Sequence, residues 1–503
     1  MNRMTNMISI LLAACLSACS NNSETVVDDM TEPYPTGKPT SGKAVVFTTT
    51  SDGAYSLYEE IADVVSGQSL SPLTIQLDPS QTQQSIDGFG YGITYSSCYN
   101  LLKMTPEDRN DLLTRTFSTT SGYGVSYCRI SIGCNDFSST EYSLCDVEGL
   151  EHFALFNDEV NYVIPILKEI LAINPDLKII GSPWTPPKWM KVDNLTNMRP
   201  YDSWTDGHLS PLHYDTYAEY FVKFIQAFQG EGIRIHAVTP QNEPLNHANC
   251  ASCYMPWAEE AQLVKSMARA FKRAGLQTQI YVFDHNYNYD NVGDQDDYPV
   301  KIYNTLGEDY EGSELVAGAA YHDYGGTSDE LVDIYTKAPQ KALIFSESSI
   351  GTWNDGRNLA TRLMADMKNV ALGTVNRMCK AVIVWNFMLD TNMGPNLDGG
   401  CQTCFGAIDI DPSNYRTYTR NSHYYIIAHM SVAAATGAVR LGTSRNIASQ
   451  NIISACFLNP DGTYGAVILN TGDEDKTINV GDGSSYVRVN VPAGGVSSVK
   501  WNK

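Results

Sequence analysis

Between residues 86 and 389 the chain alternates short runs rich in β-branched and aromatic residues with segments whose apolar residues recur every three or four positions. That alternation narrows the possible folds more than any other feature. Eight strand-like runs are counted, at 86–96, 124–133, 177–184, 234–243, 279–286, 315–324, 341–348 and 381–389. Amphipathic stretches of helical length fall between most of them, for example 159–173, 217–229, 257–274 and 359–378. Strands separated by helices pair in parallel, and eight such units suggest a closed ring. The predicted class is α/β, a (β/α)8 TIM barrel.

The flanks follow a different rule. After a helical segment at 424–435, runs such as NIISACFL, TYGAVILN and SYVRVNVP are separated by Gly, Asp and Asn turns, an antiparallel pattern. AVVFTTT and LTIQLDP, ahead of the barrel, have the same character. The expectation is one attached antiparallel β-sandwich formed from both chain ends, 44–84 and 429–503, around a catalytic barrel at 85–428. No internal repeat interrupts the folded part.

The leader MNRMTNMISILLAACLSAC has a basic Arg3, an apolar run from Met7 to Leu16 and small residues before Cys19. The run is shorter than the roughly 20 apolar residues of a spanning helix, so residues 1–19 read as a signal peptide. LSAC resembles a bacterial lipobox, which would make Cys19 a lipid anchor; the plainer alternative is an ordinary cleaved signal. Residues 20–43, rich in Asn, Ser, Thr, Pro and acids, read as a flexible tether. The expectation is an exported protein, lipid-anchored to a bacterial outer membrane, with that anchor its sole membrane contact.

Ten cysteines follow the leader, in a compartment where disulfides form. The pairs Cys250/Cys253 and Cys401/Cys404 could mimic a zinc site, but they lie far apart and lack ribbon-like turns, so disulfides or inert thiols fit better. No motif requires a metal or an organic cofactor. With 34 Lys and Arg against 56 Asp and Glu, the net charge of −22 repels nucleic acids and anionic membrane surfaces. A neutral partner is easier to accept, and 30 Tyr and 7 Trp provide ring faces for sugars. A monomer is the expected state.

In such a barrel the C-terminal strand ends face one site. There the sequence is polar where a core would be apolar: Arg129 and then Asp136 after the second strand, Trp184 on the third, Asn242 and Glu243 on the fourth, His322, Asp323 and Tyr324 on the sixth, Glu347 on the seventh, Trp385 and Asn386 on the eighth. Two carboxylates about 5–5.5 Å apart are what a retaining glycosidase needs, one as nucleophile and one as acid/base. Glu347 as nucleophile must stay ionised, which Arg129 and the Tyr324 hydroxyl would favour. Glu243 as acid must begin protonated, and a neighbouring carboxylate with an apolar wall such as Trp184 would raise its pKa. Asn242 could bond the sugar 2-hydroxyl. Taken singly, each residue has an ordinary structural reading: a solvated carboxylate, a core tryptophan, a structural ion pair for Arg129, a turn cap for Asp136, a satisfied core histidine for His322. Their convergence on one predicted rim is what favours function.

QSIDGFGYGIT, RISIGCNDFS, GSPWTPPKWMK, TPQNEP and FSESSIG, in that order, resemble glycoside hydrolase family 30, the glucosylceramidase-like hydrolases. The resemblance runs from about Ala44 to the C-terminus. It implies a retaining mechanism on a (β/α)8 barrel with a tightly attached β-sandwich, Glu243 as acid/base and Glu347 as nucleophile. It also implies Asp136, Trp184, Asn242, Tyr324, Trp385 and Asn396 around the innermost sugar, with Arg129 supporting the nucleophile; His322, from its place at the sixth strand end, is taken as a second supporting residue. The sequence departs from the family pattern at YHDY and GGCQTCFG, near the rim. The motifs resemble the β-1,6-glucan and β-glucosidase branches more than the xylanases, so a neutral β-glucan or β-glucoside is the expected substrate. An exo-acting β-glucosidase, a glucosylceramidase and a xylanase stay open as alternatives, as do β-fucosides and β-xylosides as substrates. Outside the enzymes, a non-catalytic glycan-binding lipoprotein would be expected to lose a carboxylate, and both are present; a purely structural surface protein would not need the aromatic and polar rim.

Overall fold

The computed structural model describes residues 34–445 and 447–503. The signal peptide, Cys19 and the tether up to residue 33 lie outside the described residues. From Tyr34 the chain is already docked, with the Arg115 guanidinium 4.7 Å from the Tyr34 ring centroid and Pro39 accepting a hydrogen bond from Asn502. The expected tether to residue 43 is therefore shorter at its C-terminal end.

Eight parallel strands close a barrel in sequence order: Gly88–Gly92, Tyr127–Ser131, Lys178–Ser182, Ala237–Val238, Gln279–Asn286, Val316–His322, Ala342–Glu347 and Cys379–Val384. Large Tyr127, Tyr281, Ile180, Ile344 and Ile383 fill its interior beside small Ala237, Ala320 and Ala381, so the barrel is a packed core rather than a channel. Several predicted strands are too long. The first stops at Gly92 because Thr94 caps a helix, Tyr95–Lys103, by accepting a hydrogen bond from the Ser97 amide. The fourth pairs only through Ala237–Val238. Beyond it Pro240 lacks an N–H and Glu243 has a positive φ of 45°, so Asn242 and Glu243 leave the ladder. Their amides bond Pro183 O at 2.7 Å and Asp284 O at 3.0 Å. Of the predicted helices, 359–378 is interrupted by a π-turn at Met367–Ala371, and 159–173 opens with one at Glu159–Val163, before Pro165 in the following α-helix.

The chain ends form a nine-stranded, edge-closed β-sandwich in which Lys43–Thr50, Tyr58–Ser66 and Thr74–Ser85 interleave with six C-terminal strands. Its own core holds Val46, Ile75, Ile478, Val489, Val499 and Trp501; full burial of such aliphatic side chains is worth roughly 1.5–3 kcal/mol each. One pairing departs from the antiparallel expectation, since Lys476–Gly481 runs parallel to Thr74–Ser85. The helix Ser422–Ala433 is buried along its whole length, so the expected boundary at 428/429 falls inside it. His429 bonds Ser498 and Thr49 of the sandwich at 2.6 and 2.9 Å, and Tyr91 of the barrel donates to Tyr424 O at 3.2 Å. A helix with no solvent face thus joins the two units, and burial pushes His429 down to about 3, keeping it neutral within that joint.

Candidate active site

Arg129, fully buried on the second strand, organises the strand ends. Its Nη1 donates to Glu347 Oε2. Its Nη2 donates to Asn242 Oδ1 at 2.7 Å and Asp284 Oδ2 at 2.8 Å, and its Nε donates to Ser182 Oγ at 3.1 Å. The rings of Trp184 and Trp385 stack 5.1 Å apart, and the guanidinium lies 5.0 and 5.2 Å from their centroids. A buried cation with this many acceptors and two ring faces holds a fixed geometry. Tyr324 donates from its hydroxyl to Glu347 Oε1 at 2.9 Å and also reaches Ser349 Oγ at 2.9 Å. Both oxygens of Glu347 are thus oriented, one by Arg129 and one by Tyr324, as the sequence suggested.

Glu243 departs from expectation. Its Oε1 lies 3.2 Å from His322 Nδ1 and 3.9 Å from His285 Nδ1, and its Oε2 accepts from Asn246 Nδ2 at 2.7 Å. Burial pushes its pKa up, but the His322 hydrogen bond, both histidines and Asn246 outweigh burial and hold it below the usual carboxylate range. Trp184, assigned from the sequence as the wall that would raise it, instead faces Trp385 and Arg129. His322 bridges Glu243 to Asp284, with Nε2 3.0 Å from Asp284 Oδ1. Burial disfavours its charge, yet Glu347 and Asp284 raise it to about 10. The shifts of the pair thus run opposite to the expectation, with the proton favoured on His322 over Glu243, one hydrogen bond away.

Asp284, His285 and Asp290 escaped the sequence reading. Asp284 accepts from Arg129, His322, Thr239 Oγ1 at 2.7 Å and Ser346 Oγ at 2.6 Å. Although burial opposes ionisation, Arg129 and His322 hold its carboxyl far below the usual range. A register shift between Phe283 and His285, with positive φ at Phe283 and Asp284, brings two successive side chains to the site where plain alternation would place one. His285 Nε2 pairs with Asp290 Oδ2 at 2.8 Å, while its Nδ1 is buried without a hydrogen-bond partner among the described residues, 3.9 Å from Glu243. The signal in the sequence was the DH pair at the end of an otherwise apolar strand.

The remaining predicted residues line the walls. A Cβ on Gly92 would lie 2.2 Å from Trp385 Cε3, so glycine there lets the indole lie against the first strand. Asn386 has a φ of 62° and accepts from Thr94 Oγ1 at 3.0 Å. Asp136 is half-buried; Cys401 N donates to its Oδ2 at 3.4 Å, and its buried Oδ1 has no hydrogen-bond partner among the described residues. Burial, with repulsion from Glu347, pushes Asp136 up to about 7, so a carboxyl able to donate to a sugar hydroxyl stands in the wall. Asn396, half-buried, donates to Met393 O at 2.8 Å within the loop after the eighth strand. Asp323 hydrogen-bonds Ser348, and burial pushes it up to about 6.

Glu243, His285 and His322 put ligand atoms within 4.8 Å of one another, close enough for a cation, though His322 is already engaged by Asp284. The four-thiol zinc arrangement is not formed, because Cys401 and Cys404 share a disulfide while Cys250 and Cys253 are buried free thiols.

The arrangement, two carboxylates of unlike surroundings under a tryptophan wall, suits glycosidic bond cleavage. Residues 86–433 match the glycosyl hydrolase family 30 TIM-barrel domain and residues 437–499 the glycosyl hydrolase family 30 beta sandwich domain. Among curated proteins, the chain is 30% identical to the endo-1,6-beta-D-glucanase BGN16.3 of Trichoderma harzianum, covering 92% of this chain and 94% of that protein. It is 28% identical to the putative glucosylceramidase 4 of Caenorhabditis elegans, over 87% and 84% of the two chains. Among solved structures, the endo-beta1,6-glucanase BT3312 superposes with a TM-score of 0.87 at 53% identity, covering 92% of this chain and all of that one. The chain is a glycosidase and belongs to glycoside hydrolase family 30.

Proposed function

We propose that the protein is a retaining endo-hydrolase of β-1,6-linked glucan. The observation that carries the reaction type is the unequal treatment of the two carboxylates: Glu347 is held by Arg129 and Tyr324, whereas Glu243 faces the His322 and His285 imidazoles and the Asn246 amide. The substrate reading is supported by near full-length similarity to two proteins described as endo-1,6-glucanases.

Glu347 attacks the anomeric carbon, and the glycosidic oxygen leaves with a proton from Glu243. That proton comes from His322. As substrate displaces water around Glu243, the neutral acid gains on the carboxylate, and the proton moves across the 3.2 Å contact. His322 is left neutral, still bound to Asp284. In the second step Glu243 takes a proton from the attacking water and Glu347 departs. Trp184 and Trp385 present their shared wall to the sugar, and Asp136 and Asn396 offer polar atoms to its hydroxyls. We also propose export and lipid anchoring at Cys19; labelled palmitate should enter the full chain and not its Cys19→Ala variant.

The test is a chromatographic product profile of the protein on β-1,6-glucan, β-1,3-glucan, xylan, glucosylceramide and an aryl β-glucoside. Short β-1,6 oligosaccharides early in the digest support the proposal. Glucose as sole product, or turnover confined to another substrate, refutes it.

A further inference from the structure

Past Glu347 the chain forms a two-residue strand, Ile350–Gly351, paired antiparallel with Cys404–Phe405. A single 3-10 turn, Thr352–Asn354, follows. Trp353 sits on that turn, on the same barrel rim as the nucleophile. It is 52% exposed, the one tryptophan among the described residues left open to this degree. The turn beneath it is tightly fixed. Thr352 N donates to Thr403 O at 3.0 Å, and Gly351 N donates to Asn354 Oδ1 at 3.0 Å. A Cβ on Gly351 would lie 2.0 Å from Trp353 Cζ3 and 2.5 Å from Thr403 O. The absence of a side chain at Gly351 therefore lets the indole lie against the backbone on one side, leaving its other side to solvent.

Thr403 belongs to the loop closed by the Cys401–Cys404 disulfide, and the residues leading into that loop pack against Asp136. Leu397 N donates to Asp136 O at 2.9 Å, Cys401 N to Asp136 Oδ2, and a Cβ on Gly400 would lie 2.5 Å from Asp136 Cβ. One pinned segment thus runs from Asp136 to the support of Trp353.

We propose that Trp353 is a binding platform for a glucosyl ring neighbouring the one held at the catalytic carboxylates. The inference rests on the glucan reading above and names a subsite for it. A pyranose presents axial C–H groups to a flat aromatic face, and a rigid, half-covered indole gives that contact with little side-chain entropy left to lose. A β-1,6 linkage has one more rotatable bond than linkages made directly to the ring. A neighbouring ring on such a linkage therefore needs a contact of its own to be ordered.

The experiment compares wild type, Trp353→Ala and Trp353→Phe on β-1,6-gluco-oligosaccharides of increasing length and on β-glucosyl fluoride, which has no neighbouring ring to reach Trp353. For Trp353→Ala we expect kcat/KM to fall about 10-fold on the longer oligosaccharides, in keeping with an aromatic anchor, and to stay within about twofold on the fluoride. Trp353→Phe should recover most of the loss. Equal losses on both substrates, or no loss on the oligosaccharides, would overturn the proposal. A wild type that cleaves the fluoride and no β-1,6-glucan overturns the glucan reading itself, and the subsite with it.

Discussion

Asp284→Asn is the substitution whose effect the structure specifies most fully. The carboxylate accepts four hydrogen bonds, from Arg129 and Thr239 on one oxygen and from His322 and Ser346 on the other. An amide keeps the acceptor on one side and turns an NH2 toward a cation and a hydroxyl on the other, so the bond to the cation is lost while the hydroxyl can turn to accept. Hydrogen bonds to charged groups contribute about 1.5–3 kcal/mol each, and breaking one partner of a buried ion pair costs about 3–5 kcal/mol. We therefore expect about 3–5 kcal/mol less unfolding free energy in urea at pH 7. The variant also loosens the proton on His322. That residue's raised pKa owes much to Asp284, and the proposed mechanism requires a proton on the His322–Glu243 pair. The alkaline limb of kcat/KM should therefore move to lower pH, with at least a tenfold loss at pH 8, equivalent to about 1.4 kcal/mol. A stability loss below about 1 kcal/mol together with an unmoved alkaline limb would refute the reasoning.

Glu347→Gln should lower kcat by several orders of magnitude while the fold persists by circular dichroism. Glu243→Ala should still be glycosylated by an activated aryl glucoside, and added azide should restore turnover; loss of both would refute the acid/base assignment. Gly92→Ala drives a methyl into Trp385 and should reduce kcat/KM at least tenfold, about 1.4 kcal/mol, alongside a lowered melting temperature. Asp136 has a folded pKa of about 7, above its unfolded value near 3.9. It therefore destabilises the fold progressively as pH rises from about 4 to 7. Asp136→Asn should gain stability at pH 8 relative to wild type and little at pH 4, and a pH-independent difference would show that the carboxyl is not perturbed.

The barrel was legible because strand and helix periodicities are local, and so were Glu243, Glu347 and Arg129, since polar residues at the ends of apolar strands stand out. What escaped depends on bonds between distant segments. Plain alternation would place one of Asp284 and His285 at the site, and only the bulge between Phe283 and His285 brings both there. The direction of the Glu243 shift could not be read from Glu347 and Trp184 alone, because His322 from the sixth strand and His285 from the fifth decide it. The predicted fourth strand was too long because Pro240 and the positive φ at Glu243 end its ladder early. The boundary at 428/429 failed for a similar reason: the helix Ser422–Ala433 faces both units and shows no polar stripe to mark an edge.

The most direct test of the account is the anomeric configuration of the first product. Proton NMR during the first minutes of β-1,6-glucan hydrolysis in D2O should show new reducing ends as the β-anomer, with the α-anomer appearing later by mutarotation. Early appearance of the α-anomer would mean a single inversion at the anomeric carbon, and would contradict a covalent step on Glu347.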